Sequence, residues 1–152
     1  MKTTMNSIKQ LRAKTNAGVM DAKRALEESR GDMKGAEEWI KKKGLARAEK
    51  KADRETTAGV IYAYTHHNLA SGTLVELNCE TDFVAKTDDF MNLAKEVAMQ
   101  ANSMNPIDTK ELLSQEYNRD PSITIEELVK QTSGKLGENI VLKRFTRFEL
   151  GS

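Results

Sequence analysis

The stretch GVIYAYTHHNLASGTLVELNC, residues 59–79, decides which class of fold the chain adopts. Its first part, Val60 to Tyr64, is rich in β-branched and aromatic residues, and its last part runs from Thr73 to Cys79. The polar residues between them, His66 to Gly72, are typical of a turn, so the stretch predicts a β-hairpin. In the second strand every other residue from Thr73 onward is apolar or small, and the residues between them are mixed. This alternation predicts an antiparallel sheet with one covered face.

Elements that could cover this face follow along the chain. An apolar stripe at spacings of three, four and seven predicts a long helix over residues 88–104, with Thr87 as its N-cap and Pro106 preventing its continuation. A capping box at Thr124 begins a further helix that ends near Gly137, and ENIVLKRFTRFEL, residues 138–150, predicts a last strand that returns to the hairpin. The order strand, strand, helix, helix, strand predicts an α+β fold, a small antiparallel sheet packed on helices.

The first 44 residues predict a bundle of three short helices. Ser7 has capping-box spacing to a glutamine three residues later and is the expected N-cap of the first helix. The second helix is expected from Val19 to Ser29. The third is expected to begin after Asp32 and to stop at KKKG, with Gly44 in the position that follows the cap.

The charge of the chain is divided unevenly. Residues 1–55 hold 15 Lys and Arg against 9 Asp and Glu, whereas residues 56–152 hold 9 against 14. Together with the helix pattern, this predicts a helical partner-binding module at residues 1–44, a helical linker at 45–57 and the α+β core at 58–152. A basic head fits solvated helix faces, an acidic protein partner or a nucleic acid, and charge alone does not choose among them.

Residues that enzymes use for catalysis are scarce. The sequence has no glycine-rich phosphate-binding loop and no Gly-x-Ser-x-Gly motif. Cys79 is the only cysteine, so neither an intrachain disulfide nor a zinc site is expected. A hydrolase that pairs Cys79 with His66 or His67 would still need an orienting group and an oxyanion hole, for which the sequence offers no candidates. A protein-binding module is therefore favoured over an enzyme, and no cofactor or metal is expected.

Signals for membrane insertion and export are also missing from the sequence. No apolar run approaches the roughly 18 residues of a membrane helix. The N-terminus lacks the apolar segment of a secretory signal. We therefore expect a protein of the cytoplasm that has no membrane partner.

Three stretches resemble one family. LRAKTNAGVMDAKRAL (residues 11–26), VELNCETDFVAK (75–86) and GKLGENIVLKRF (134–145) are similar to segments of translation elongation factor Ts and lie in the order of that family. The second stretch is long and specific, and the three together extend over the whole chain. Asn16 stands where the family usually has a glycine; because asparagine tolerates positive φ better than most residues, we expect the turn to be kept.

The resemblance implies a guanine-nucleotide exchange factor that binds elongation factor Tu, both GDP-bound and nucleotide-free, in a bacterial cytoplasm or an organellar matrix. It also implies that the head is a ubiquitin-associated-like helical bundle. The residues of this bundle that match the partner contacts of the family are Leu11, Arg12, Val19 and Met20. The segment implied to disturb the magnesium site of the partner consists of Thr81, Asp82, Phe83 and Val84. A nucleic-acid-binding module built on the basic head is the alternative.

Phe83 has two interpretations. It directly follows Asp82, where the apolar strand gives way to an acid-rich segment. Without the resemblance, Phe83 would be placed in the core beneath the long helix, close to Phe90. With the resemblance, Phe83 is a wedge for a crevice of the partner, and Asp82 is the polar group beside it.

The chain resembles a compact short form of the family. Longer members have a second core subdomain, a helical-hairpin insertion and a C-terminal module, whereas 152 residues leave room for a single core subdomain. A symmetric homodimer would restore the missing surface, because self-complementary pairing is the commonest way in which proteins duplicate a surface.

Overall fold

The computed structural model describes residues 3–152, in which seven helices and five strands follow one another. The helices are α1 (Met5–Thr15), α2 (Val19–Glu28), α3 (Met33–Lys51), α4 (Asp82–Ala85), α5 (Asp88–Met104), α6 (Thr109–Ser114) and α7 (Ile125–Leu136). The strands are β1 (Ala58–Thr65), β2 (Ser71–Cys79), β3 (Glu116–Tyr117), β4 (Asp120–Thr124) and β5 (Val141–Glu149). The expected α+β class is confirmed. None of these helices is both long enough and apolar enough to cross a membrane.

Three strands form the main sheet, in the order β1-β2-β5, and all pairs are antiparallel. The expected hairpin and the expected return of the last strand are therefore both confirmed. The middle strand alternates between a buried inner face and an open outer face, on which Leu74 is exposed. The buried residues of this strand are Thr73, Val75, Leu77 and Cys79.

Helix α5 covers the inner face of the sheet and supplies much of the core. It spans the predicted residues, and the Thr87 hydroxyl caps it by accepting a hydrogen bond from the Phe90 N–H at 3.2 Å. The apolar stripe is buried from Phe90 to Ala101, whereas Met104 at the end of the helix is exposed. One face of α5 and one face of the sheet thus form a two-layer core.

The second half of the body contains α6, α7 and the two-stranded β3–β4 pair. As predicted, Thr124 caps α7 by accepting a hydrogen bond from the Glu127 N–H at 3.1 Å, and Gly137 ends this helix with a φ of 78°. The β3–β4 pair was not predicted, because its strands have only two and five residues and the sequence indicates only a turn there.

The three N-terminal helices pack on a small apolar core of their own, and the N-cap of the first helix differs from the prediction. The cap is Thr4, whose hydroxyl accepts a hydrogen bond from the Ser7 N–H at 3.1 Å, while the Ser7 hydroxyl accepts one from the Thr4 N–H at 3.0 Å. Ser7 is thus the reciprocal partner in the capping box. The buried core residues are Ile8, Leu11, Ala22, Ala25, Leu26 and Ala36.

The prediction that the third helix stops at Gly44 was wrong, because α3 continues to Lys51. A separate helical linker over residues 45–57 is therefore not formed: the last two turns of α3 take up its first half, and residues 52–57 are not helical. Packing between helices explains why α3 continues. Helix α3 packs against α7, and a Cβ added to Gly134 would overlap the carbonyl oxygen of Gly44 and lie 2.6 Å from its Cα. The division of the chain into folding units at residues 44 and 57 stays a prediction.

Candidate functional site

The segment Thr81 to Val84 follows the end of β2 and forms the start of the short helix α4. The Thr81 hydroxyl caps this helix by accepting a hydrogen bond from the Val84 N–H at 3.4 Å. Val84 is half-buried and Ala85 is buried, and both pack in the core of the body. Asp82 and Phe83 are exposed. One turn of helix therefore holds its apolar side against the core and presents an acid and a ring to solvent.

The side chain of Phe83 is 81% exposed, whereas Phe90 is fully buried. The alternative that places Phe83 in the core beside Phe90 is therefore wrong. Asp82, next to it, forms an exposed ion pair with Lys86 at 3.7 Å. Single exposed apolar residues are common on protein surfaces, so what distinguishes Phe83 is the set of contacts that holds its backbone.

A carboxylate from a distant part of the chain holds the start of this segment. One oxygen of Glu138 accepts hydrogen bonds from the backbone N–H groups of Glu80 at 3.2 Å and Thr81 at 2.9 Å. Its other oxygen accepts a hydrogen bond from the Thr81 hydroxyl at 2.6 Å. Hydrogen bonds to an ionised acceptor are shorter and stronger than those between neutral groups. The turn that carries Phe83 is thus fixed by a residue that follows α7.

The connection is reciprocal, because Glu80 in turn binds the segment that carries Glu138. The Glu80 carboxylate accepts a hydrogen bond from the Asn139 N–H at 2.7 Å. The buried side-chain amide of Asn139 donates to the carbonyl oxygens of Ala52 at 3.2 Å and Arg54 at 2.8 Å. We call Glu80, Glu138 and Asn139 the carboxylate clamp. The carboxylate clamp joins the segments that follow α3, β2 and α7. It was not predicted from the sequence, because an acidic residue just after a helix or a strand belongs to no recognisable motif.

Three of the four residues expected at the partner-binding surface of the N-terminal module are exposed. Val19 and Met20, in the first turn of α2, are 47% and 63% exposed, and Arg12 is exposed at the end of α1. Arg12 Nε donates a hydrogen bond to the Ala17 carbonyl oxygen at 3.1 Å. Leu11, the fourth expected residue, is fully buried in the core of the bundle.

The turn between α1 and α2 is kept despite the asparagine. Asn16 has a φ of 56°, in the left-handed region, and its N–H donates to the Arg12 carbonyl oxygen at 2.8 Å. Asparagine adopts this conformation more readily than most residues, so Asn16 can replace a glycine here, as expected from the sequence.

Several cations of the basic head are paired. Lys14 lies 3.1 Å from Glu37, and the Arg47 guanidinium makes two hydrogen bonds to Asp21 at 2.6 and 3.0 Å. The hydrogen bond from Arg47 lowers the pKa of Asp21 below its usual value. These residues line a cleft of about 470 Å³ between the N-terminal helices and the body. Pairing within the protein reduces the attraction of these two cations for phosphates.

The groups considered for catalysis are kept apart. Cys79 and His66 lie at opposite ends of the β1–β2 hairpin. The Cys79 thiol donates to the Thr81 carbonyl oxygen at 3.1 Å, and burial raises the pKa of this thiol, which disfavours a nucleophile. His66 Nδ1 lies 2.9 Å from the Tyr64 hydroxyl. Within residues 3–152, no group of three His, Cys, Asp or Glu side chains could hold a metal ion.

Similarity to known proteins extends over nearly the whole chain. The family model described as Elongation factor TS matches residues 80–152. Elongation factor Ts of Prochlorococcus marinus (strain MIT 9303) is 42% identical over 95% of this chain and 87% of that protein. The chain belongs to the elongation factor Ts family. Elongation factor Ts of Thermoanaerobacter sp. (strain X514) is 40% identical over 95% of this chain and 93% of that protein. The corresponding values for Fervidobacterium nodosum (strain ATCC 35602 / DSM 5306 / Rt17-B1) are 38%, 99% and 100%.

Membership of the elongation factor Ts family assigns the chain a role in translation elongation. The family match begins at Glu80, so it includes the segment Thr81 to Val84 and the whole carboxylate clamp. The alignment with the Prochlorococcus protein has 190 positions, although this chain has only 152 residues, of which 95% are aligned. Gaps in this chain make up the difference, so it is a compact member of the elongation factor Ts family.

Proposed function

We propose that the chain is a guanine-nucleotide exchange factor that binds elongation factor Tu carrying GDP and promotes the release of GDP. The observation that carries the proposal is the exposed ring of Phe83, held on a clamped turn in a member of the elongation factor Ts family. Exchange needs differential binding of two states of the partner and no covalent step. The protein is therefore proposed to act as a binding factor rather than as an enzyme.

Phe83 and Asp82 are proposed to act on the magnesium site of elongation factor Tu. In GTPases, magnesium bridges the phosphates of the bound nucleotide to the protein, so displacing its ligands weakens nucleotide binding. Phe83 enters a crevice of the partner as a wedge, and Asp82 is the polar group beside it. Thr81 and Val84 hold the turn from which both side chains project.

The free energy required indicates that Phe83 does not act alone. The binding of the factor and of nucleotide to the partner is linked. If bound nucleotide weakens the binding of the factor tenfold, the bound factor weakens the binding of nucleotide tenfold as well. Each tenfold change requires about 1.4 kcal/mol of differential binding. Burial of one phenylalanine side chain supplies about 1.5–3 kcal/mol, so larger effects need a second surface. Arg12, Val19 and Met20 are proposed to supply it by contacting the nucleotide-binding domain.

The protein is further proposed to form a symmetric homodimer through the outer face of its sheet. Ile61, Leu74 and Phe148 are exposed on this face, around an ion pair in which Arg144 Nε donates to Glu76 at 2.8 Å. Two-fold pairing would place two copies of this face against each other, and the face carries both charges of the ion pair among its apolar side chains. The second copy then compensates for residues that the longer relatives have and this chain lacks.

The preference between the two states of elongation factor Tu tests the proposed exchange function. Purified partner is prepared with excess GDP and magnesium, or stripped of nucleotide with a chelator, and its affinity for this protein is measured by calorimetry. We expect the nucleotide-free form to bind at least about tenfold more tightly. Equal affinities would exclude exchange, because a ligand that binds two states equally shifts no equilibrium.

Two variants make this measurement specific. Phe83→Ala should lose part of the preference for the nucleotide-free form. Ile107→Ala removes another exposed apolar side chain, in the loop after α5, and should keep the full preference. The same loss in both variants would show that the effect does not depend on the position of Phe83.

A further inference from the structure

We propose that Glu138 is a positioning residue for nucleotide exchange: it acts through Phe83 by holding the turn at the start of α4. The inference rests on the proposed exchange function and adds to it a residue outside the segment Thr81 to Val84. Glu138 lies 57 positions beyond Thr81 in the chain, yet its carboxylate accepts hydrogen bonds from Glu80 and Thr81, the two residues directly before Asp82.

The hydrogen bonds of Glu138 determine how Thr81 caps α4. The Thr81 hydroxyl donates a hydrogen bond to Glu138 at 2.6 Å, and the same oxygen accepts a hydrogen bond from the Val84 N–H at 3.4 Å. Because Thr81 is exposed, water competes for both hydrogen bonds. The carboxylate favours one orientation of the hydroxyl, the one in which its oxygen lone pair points at the helix.

A helix as short as α4 needs such anchors. A four-residue helix is far below the length that is stable by itself. Its C-terminal end is held by Thr87, whose hydroxyl donates to the Val84 carbonyl oxygen at 2.7 Å. Its N-terminal end is held by Glu138. Phe83 lies between these two anchors, so the direction of its ring depends on both.

The role of Glu138 is separable from the folding of the core. Glu138 is half-buried at the rim of the body, while the core consists of apolar side chains from the sheet, α5 and α7. The link from Glu80 to Asn139 and those from Asn139 to the end of α3 do not use the Glu138 side chain. Loss of this carboxylate should therefore loosen the turn while the body stays folded.

A double-mutant cycle with elongation factor Tu tests the proposal. Release of labelled GDP is measured at matched folded concentrations for the parent protein, Glu138→Ala, Phe83→Ala and the double variant. We expect Glu138→Ala to slow release about tenfold or more, as misplaced contact groups do, and to add little once Phe83 is already alanine. Glu138→Gln keeps the acceptor oxygen for the backbone N–H groups of Glu80 and Thr81 but places an amide donor against the Thr81 hydroxyl, so it should restore only part of the rate. Glu126→Ala removes an exposed acid of α7 and should match the parent.

Amide hydrogen exchange on the free protein separates the two proposals. Glu138→Ala should speed exchange at residues 81–85 and leave the protected amides of α5 unchanged. Unchanged amide exchange at residues 81–85 in Glu138→Ala would overturn the positioning role. So would a Glu138→Ala substitution that slows GDP release by the same factor in the parent and in Phe83→Ala. If the parent protein does not accelerate the release of GDP from elongation factor Tu, the proposed exchange function is wrong. The amide measurement still shows whether Glu138 holds the turn.

Discussion

Phe83 is exposed in the short helix α4, and Phe90 is buried at the start of α5. Burial of a phenylalanine side chain is worth about 1.5–3 kcal/mol, and for Phe90 this free energy already contributes to the fold. For Phe83 it is available only when another molecule covers the ring. The two phenylalanines therefore allow binding and stability to be separated by equivalent substitutions.

Phe90→Ala is expected to destabilise the protein, and Phe83→Ala is expected to leave its stability nearly unchanged. Removal of the fully buried Phe90 ring leaves a cavity that costs about 3–5 kcal/mol. Removal of an exposed ring should change the free energy of unfolding by less than about 0.5 kcal/mol. Denaturant titrations of both variants measure these values. A large loss of stability in Phe83→Ala would show that the ring packs in the folded protein and is not free to bind.

At the scale of single residues, the proposed site could be predicted only in part from the sequence. The resemblance pointed to Thr81 to Val84, whereas the local pattern alone favoured a core position for Phe83. Leu11 has the helical spacing of a core residue, yet it also matched a partner contact, and burial shows that the core assignment is the physical one. Glu138 could not be predicted, because its role depends on a loop closure that joins distant segments.

The crossing of α3 and α7 is the main element-scale link between the N-terminal helices and the body. The two helices approach so closely at Gly134 that a side chain has no room. On the other helix, a Cβ added to Gly44 would lie 3.7 Å from the nearest atom of Gln131, which is an ordinary contact. The two glycines are therefore not equivalent, although they face each other.

Gly134→Ala should destabilise the protein, and Gly44→Ala should not. The methyl group at Gly134 forces the helices apart, at an overpacking cost of about 1–3 kcal/mol. At Gly44 the methyl group fits, and alanine is favoured over glycine within a helix by about 1 kcal/mol. Thermal melts of the two variants decide this. A Gly134→Ala variant as stable as the parent would contradict the close crossing.

The ion pair between Asp21 of α2 and Arg47 of α3 should make stability depend on pH. Because Arg47 lowers the pKa of Asp21 in the folded state, the unfolded chain binds the proton at a higher pH. The contribution to stability is present above about pH 4, the usual aspartate range, and is lost as the pH falls through the lowered pKa. The melting-temperature difference between the parent and Asp21→Asn should therefore shrink between about pH 6 and about pH 3. Arg47→Met should behave in the same way. A difference that does not vary with pH would contradict the pairing.

Whether an element could be predicted depended on how local its determinants are. The caps at Asp32, Thr87 and Thr124 were predicted, because each is a hydrogen bond within one helical turn. The end of α3 was not predicted. Three lysines followed by Gly44 are typical of a helix end, whereas packing on α7 carries the helix onward. Packing between elements overrides this local signal.

At the scale of the whole molecule, the main three-stranded sheet has one covered face and one open outer face. The inner face is covered by α5, and the outer face presents exposed Ile61, Leu74 and Phe148. Exposed apolar residues grouped on one face are typical of an interaction surface. A homodimer would cover this face in the same way that a second layer covers a sheet sandwich.

A charged residue in the outer face should dissociate the proposed homodimer. We expect the parent to have the mass of a dimer by light scattering at micromolar concentration, and Leu74→Lys to have that of a monomer, because the interface would then bury two like charges. Ile107→Lys adds the same charge outside the sheet and should stay dimeric. A parent protein that is monomeric at high concentration would contradict the proposed assembly.

Release of labelled GDP from purified elongation factor Tu tests the proposed exchange function most directly. The release rate is measured with no addition, with the parent protein and with Phe83→Ala, all in the presence of magnesium and excess unlabelled nucleotide. We expect the parent protein to accelerate release in proportion to its concentration until the effect saturates. We expect the acceleration by Phe83→Ala to be smaller by a factor of about ten or more. A release rate that stays unchanged at high concentrations of the parent protein would contradict the proposed exchange function.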